Sequence, residues 1–244
     1  MEEKVTFLDE IIKSLKTADI LNITGKVGTG KSSLAMNIIK TVVMDSNKNV
    51  AMFSLGTTSV SLIPLLIKMK TSKLNIFMNK TDFDKDKEID EETSKGFFYL
   101  YDGVSVTMEK IKQQVDSLIE ELKKRGQKLD FILIDYLQLT YPLNLSVDTN
   151  FNKIAEENIK KVKELAEHYN IPIILVTMLS DNEKKEIEQK KIIKDNSDIV
   201  MEIKRQKDNS QIKITNSKNK TEIINCKFNK KLCEFIQKKE DNNE

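Results

Sequence analysis

Three features of this sequence predict an α/β fold with a mostly parallel central sheet and helices on both faces. Short apolar segments alternate with longer ones of helical spacing. The apolar segments are near-continuous, as in Phe131-Ile132-Leu133-Ile134, which suits strands covered on both sides. Between the first such strand and the helix after it, residues 25–32 read Gly-Lys-Val-Gly-Thr-Gly-Lys-Ser. This is a complete phosphate-binding loop of the form G-x-x-x-x-G-K-[ST].

The elements follow in order. Residues 6–16 have the spacing of a short amphipathic helix. Ile20–Thr24 is the first strand and runs straight into the loop. Leu34, Ala35, Ile38, Ile39, Val42 and Val43 then mark one face of a helix. Asn49–Phe53 is a second buried strand, and a helix is expected over Ser59–Lys70, with Pro64 kinking it or moving its start. Residues 80–95 are dense in charge and read as a solvated excursion. Phe97–Tyr101 is a third strand, and Met108, Ile111, Val115, Leu118, Ile119 and Leu122 mark the next helix. Phe131–Asp135 is a fourth strand, Ile154 to Ala166 a helix, and Ile171–Thr177 a fifth strand. From Ile199 the pattern changes to short strands, Ile199–Ile203, Gln211–Thr215 and Glu222–Phe228. These predict antiparallel pairing at one sheet edge. No repeat or linker divides the chain, so residues 1–244 are expected to form one domain: a core over 18–203 and antiparallel strands over 204–237.

The loop carries the chemistry. Gly25, Lys26, Val27, Gly28, Thr29, Gly30, Lys31, Ser32 and Ser33 are the expected nucleotide-binding residues. The glycines let backbone N–H groups turn inward as an anion nest at a helix N-terminus. Lys31 brings a compact cation to the β- and γ-phosphates of ATP, and the Ser32 hydroxyl is placed to ligate Mg²⁺.

Composition narrows the alternatives. Forty Lys and Arg against 38 Asp and Glu give a formal net charge of +2, so no strong global field draws the chain to nucleic acid or membrane. No apolar run approaches the length of a membrane span, and Met-Glu-Glu-Lys does not open a signal peptide. Cys226 and Cys233 form no metal-ligand pattern and read as buried, reduced thiols of a cytoplasmic protein. His168 stands alone near a helix end and reads as a surface or capping residue. Only Arg125 and Arg205 are arginines, which argues against a small-molecule kinase that clamps a phosphoryl group with several of them.

Asp135 closes an apolar strand, where a carboxylate would hold Mg²⁺ through water opposite Ser32. The segment it opens, Ile134-Asp135-Tyr136-Leu137-Gln138-Leu139, resembles the I-D-Y-L-Q-L signature of DnaB-type bacterial replicative DNA helicases. Phe53-Ser54-Leu55 resembles their F-S-L-E-M segment, and Asp198-Ile199-Val200-Met201 their D-A-D-I-V-M strand. Thr6-Phe7-Leu8-Asp9 and Leu15–Ile20 are similar to the segment leading into their ATPase module. The likeness spans about residues 5 to 236. It implies a RecA-like P-loop NTPase fold, ATP and Mg²⁺ as cofactors, and a role in DNA replication. Single-stranded DNA, further copies of the chain or a helicase are the implied partners. The family's N-terminal domain and linker helix have no counterpart in these residues.

The departures bear on turnover. The resemblance places a catalytic glutamate after F-S-L, where this chain has Gly56 followed by Thr57 and Thr58. The γ-phosphate-sensing glutamine corresponds to Met178, and the arginine finger to Lys218. Lysine keeps the charge of a finger and loses its bidentate fork. Lys218 and Lys220, two apart, would face the same way on a strand and act across a subunit interface; the alternative is a solvated hairpin tip. The segment Asp181–Asn196 reads as a net-neutral loop lacking the family's S-D-L-R-E-S-G run. Lys204–Lys239 holds eleven Lys and Arg against three acids, either a phosphate-binding face or a lysine-rich edge that discourages strand-to-strand aggregation. Two functions stand side by side: an ATP-driven motor on DNA, with Lys31, Asp135 and Lys218 catalytic, and an ATP-binding regulator or accessory factor with impaired hydrolysis.

Overall fold

The computed structural model describes residues 6–55, 75–78, 96–103, 106–135 and 151–238. The helix expected over Ser59–Lys70, the charged run 80–95 and Gly56 lie outside them. One sheet runs through the described residues. Its strands are β1 (Ile20–Gly25), β2 (Val50–Ser54), β3 (Asn75–Met78), β4 (Phe97–Asp102), β5 (Phe131–Asp135), β6 (Ile173–Met178), β7 (Ile199–Gln206), β8 (Asn209–Asn216), β9 (Thr221–Asn229) and β10 (Glu234–Gln237). Their order is β10-β9-β8-β7-β1-β6-β5-β2-β4-β3. Every pairing from β7 to β3 is parallel, and β7 through β10 pair antiparallel. The predicted α/β architecture and its antiparallel edge are both present.

Two apolar layers fill the sheet's faces. Helices α1 (Thr6–Ser14) and α2 (Lys31–Lys40) cover one, packing Leu8, Leu34 and Ile38 on Leu21, Ile23 and Val176. Helices α3 (Met108–Lys124) and α4 (Phe151–Tyr169) cover the other, packing Ile111, Val115, Ile159 and Val162 around Ile20, Phe53 and Leu175. The central strands read buried at almost every position because both faces are covered.

Helix α2 is anchored from the far edge of the sheet. Buried Asn37 donates through Nδ2 to the Cys233 carbonyl (3.1 Å) and accepts the Phe235 N–H on Oδ1 (3.1 Å). Lys40 pairs with Glu234 at 2.7 Å. β10 thus clamps the helix that carries the phosphate loop. Asn37→Ala is expected to destabilise the fold by about 1–3 kcal/mol for each backbone group left unpaired, read as a lower urea midpoint.

Several expectations need correction. Past Lys40 the helix widens into a π turn, Thr41–Asp45, where the Thr41 hydroxyl donates to the Asn37 carbonyl (3.1 Å). Residues 183–195, expected within a loop, form helix α5 (Glu183–Asp195), capped by the Asn182 side chain accepting from the Lys185 N–H. β3 and β10 were not expected. Cys226 is buried as predicted, with burial pushing its thiol up to about 12, whereas Cys233 is only half-buried on the turn before β10. His168 is exposed beside Tyr169, in line with its surface reading.

Candidate nucleotide site

β1 delivers the loop at the carboxyl end of the parallel strands, the end where doubly wound sheets bind ligands. Gly28 and Gly30 hold φ of 75° and 99°, in the left-handed region that glycine enters without penalty. Gly30 is constrained twice, because a Cβ there would lie 2.8 Å from Cζ of buried Phe235. Gly30→Ala is therefore expected to cost about 1–3 kcal/mol, with both a lower melting temperature and weaker nucleotide binding.

The Lys26 carbonyl is the hub of the loop. It accepts from Lys31 Nζ (2.8 Å) and from the Thr29 hydroxyl (2.9 Å). Lys31 is half-buried, and burial lowers its ammonium pKa while the Asp135 charge opposes that shift. Ser32 and Ser33 follow on the first turn of α2, and Val27 stands exposed at the loop's apex.

β5 brings Asp135 to the same end of the sheet, opposite Ser54 of β2 and Val176 of β6. Asp135 is only 4% exposed. Burial raises its pKa most, and the Ser32 hydroxyl bond and the Lys31 charge pull it back. Its Oδ2 has no hydrogen-bond partner among the described residues. A buried carboxylate with one orphaned oxygen beside a serine hydroxyl suits a hard divalent cation that keeps most of its waters, as Mg²⁺ does. The residues present therefore fit Mg²⁺. Asp135, about a hundred residues on in sequence, thus lies beside both Lys31 and Ser32.

Met178 ends β6 in register with Gly25, beside the loop. Lys218 is elsewhere. β8 runs antiparallel to β7, so its last residue, Asn216, pairs with Ile199, and the β1 partner of Ile199 is Leu21. The turn at 217–220 thus lies at the amino end of the parallel strands, roughly 13 Å down β1 from Gly25 at about 3.3 Å per residue. Lys218 and Lys220 sit on that turn, not on a strand, and both donate their N–H groups to Asn216 Oδ1. The turn has only Asn219 at positive φ (59°). A group there cannot serve its own chain's loop.

One site residue escaped the sequence reading. Arg205 on β7 would place Nη1 3.4 Å from a Cβ at Gly30, and its guanidinium lies 4.5 Å from the Phe228 ring centroid. Phe228 packs on Phe235 beneath the loop, with ring centroids 4.9 Å apart. The available signal is the scarcity of arginine, which confines any arginine-based role to Arg125 and Arg205.

With this geometry in place, the family can be assigned. Residues 1–237 match the model of the DnaB-like helicase C terminal domain. The chain belongs to that family. Among its relatives, a probable replicative DNA helicase of Trieres chinensis is 25% identical over 77% of this chain and 41% of its own length. The replicative DNA helicase DnaB of Geobacillus stearothermophilus is 26% identical over 72% of this chain and 38% of its own. The replicative DNA helicase DnaC of Bacillus subtilis is 25% identical over 91% and 50%. The chain spans half or less of these relatives' lengths. In three dimensions it is similar to a solved helicase ATPase domain, with a TM-score of 0.71 at 16% identity over 96% of this chain and 97% of that one. A DnaB-like replicative helicase studied for its interactions with primase gives 0.69 at 17% identity, over 91% and 57%. Among the described residues no helix is long and apolar enough to cross a membrane.

Proposed function

We propose that this DnaB-like domain binds Mg-ATP at residues 25–33 and uses it in DNA replication, as a helicase-type ATPase module. The observation that carries the reading is the convergence of Lys31, Ser32 and the orphaned carboxylate of Asp135 at the carboxyl end of the sheet. Lys31 would leave the Lys26 carbonyl for the β- and γ-phosphates, and the loop's N–H groups would cradle them. Ser32 and Asp135 would hold Mg²⁺, whose chemistry is to neutralise charge developing on the phosphoryl oxygens. Arg205, held over the buried Phe228 ring, would offer a cation to the rest of the nucleotide. Lys218, at the opposite end of the strands, would act only toward the nucleotide of a neighbouring copy or a co-assembled helicase.

A second reading, binding with impaired hydrolysis, is favoured by Met178. The residue in register with Gly25 carries a thioether, a poor reporter of a phosphate. The glutamate that the family likeness places at Gly56 is also absent from the sequence. Steady-state ATP hydrolysis with and without single-stranded DNA separates the two. DNA-stimulated turnover supports the motor. Binding without turnover, restored by Gly56→Glu, supports the regulator.

A further inference from the structure

A run of charges that this proposed function leaves unused ties the phosphate loop to α5. Lys26 Nζ lies 3.2 Å from Glu186 Oε2. Glu186 Oε1 is 2.7 Å from Lys190 Nζ, which is 2.8 Å from Glu202 Oε1 on β7. The Glu186 and Glu202 side chains are only 17% and 16% exposed, so solvent screens these pairs less than open-surface ones. Glu202 is the register partner of Thr24, the residue before Gly25. The charge run therefore leaves the loop at Lys26, passes through α5, and returns to β7, beside the strand that carries the loop.

Lys26 joins this run to the site itself. Its carbonyl holds Lys31 Nζ and the Thr29 hydroxyl, while its side chain holds Glu186. The C-terminal half of α5 is also held by other contacts: Ile192 packs against the core, and Gln189 Oε1 accepts the Ser180 N–H (2.8 Å). Ile193 is its one buried side chain, and Ile187, next to Glu186, is 69% exposed. The Glu186 end of the helix carries little apolar contact and can follow its charged anchor.

We propose that Glu186 is a positioning residue that reads occupancy of the phosphate loop through Lys26 and passes it to α5 and, by way of Lys190 and Glu202, to β7. The proposal rests on the reading that the loop binds Mg-ATP. When Lys31 turns to the phosphates, the Lys26 carbonyl loses its charged donor. The Lys26 ammonium is then shared between Glu186 and the new phosphate charge. The ion pair to α5 loosens, and Lys190 moves toward Glu202. This gives the chain a route for reporting nucleotide that does not pass through Met178.

The test is amide hydrogen exchange of residues 183–195 with and without Mg-ATP, beside an ATP titration of each sample, in the wild type, Glu186→Gln, Lys26→Gln and the double variant. Mg-ATP is expected to speed exchange of the α5 amides in the wild type. Glu186→Gln should keep ATP affinity within about fivefold, since such ion pairs are worth about 0.2–1 kcal/mol, and should lose the α5 response. Lys26→Gln should lose it as well, and the double variant should lose nothing more, as expected of two ends of one contact. Exchange in α5 that ignores bound ATP, or a Glu186→Gln variant that responds like the wild type, overturns this proposal alone. A wild type that binds no ATP overturns the reading of the loop and this proposal with it.

Discussion

Lys31→Ala is expected to weaken Mg-ATP binding about ten- to a hundredfold while leaving the fold intact. A charged hydrogen bond to phosphate is worth about 1.5–3 kcal/mol, and each 1.4 kcal/mol is a factor of ten in affinity. The nucleotide-free protein should tolerate the change. Among the described residues Lys31 Nζ makes one hydrogen bond, an exposed one to the Lys26 carbonyl, which keeps the Thr29 hydroxyl as a donor. The largest cost without ligand falls on Asp135, whose ionised form loses the one cation beside it that favours it. Calorimetric titration gives the affinity, and circular dichroism reports the fold. Unchanged affinity in a folded variant removes Lys31 from the site.

Asp135→Asn has the second large effect, and it has two signs. Burial raises the folded-state pKa of Asp135 above its ordinary value. A carboxylate raised in this way costs stability once the pH exceeds its unfolded pKa, and the cost grows as the pH climbs toward its folded pKa. Asparagine removes that charge and can still accept from Ser32. The nucleotide-free variant is therefore expected to gain about 0.5–2 kcal/mol, the usual yield of relaxing a strained functional position. For a chain of this length each kcal/mol is about 2–4 °C in melting temperature. The same variant should lose the extra stabilisation that Mg²⁺ adds to ATP, because the metal's carboxylate is gone. Thermal melts with ATP, with and without Mg²⁺, read both effects. A variant that melts lower when empty, or that keeps the Mg²⁺ increment, contradicts the assignment.

How much of this was legible in the sequence depended on which force held each element. The central strands and helices α2, α3 and α4 are held by apolar burial, which writes its period directly into the residues. Lys31, Ser32 and Asp135 were legible because a loop motif and a strand end fixed them. α5 was read as loop because it has one buried apolar side chain and rests on Glu186, Lys190 and Glu202 instead, a pattern without apolar period. β3 and β10 have only four residues each, too few for alternation to stand out. For Lys218 the spacing leaves a strand pair and a hairpin tip both open, and the structure has the hairpin tip, where Asn216 Oδ1 gathers the N–H groups of Lys218 and Lys220. Arg205 was passed over because its role depends on β7 running beyond the loop to Gly30 and on Phe228 arriving from β9.

The central claim is that this DnaB-like domain holds Mg-ATP on residues 25–33 with Asp135 beside the metal. Equilibrium titration of the wild-type chain with ATP, in Mg²⁺ and again in EDTA, tests it most directly. The expected result is one saturable site per chain whose affinity falls when the metal is removed. No saturable binding, or binding indifferent to Mg²⁺, would contradict it.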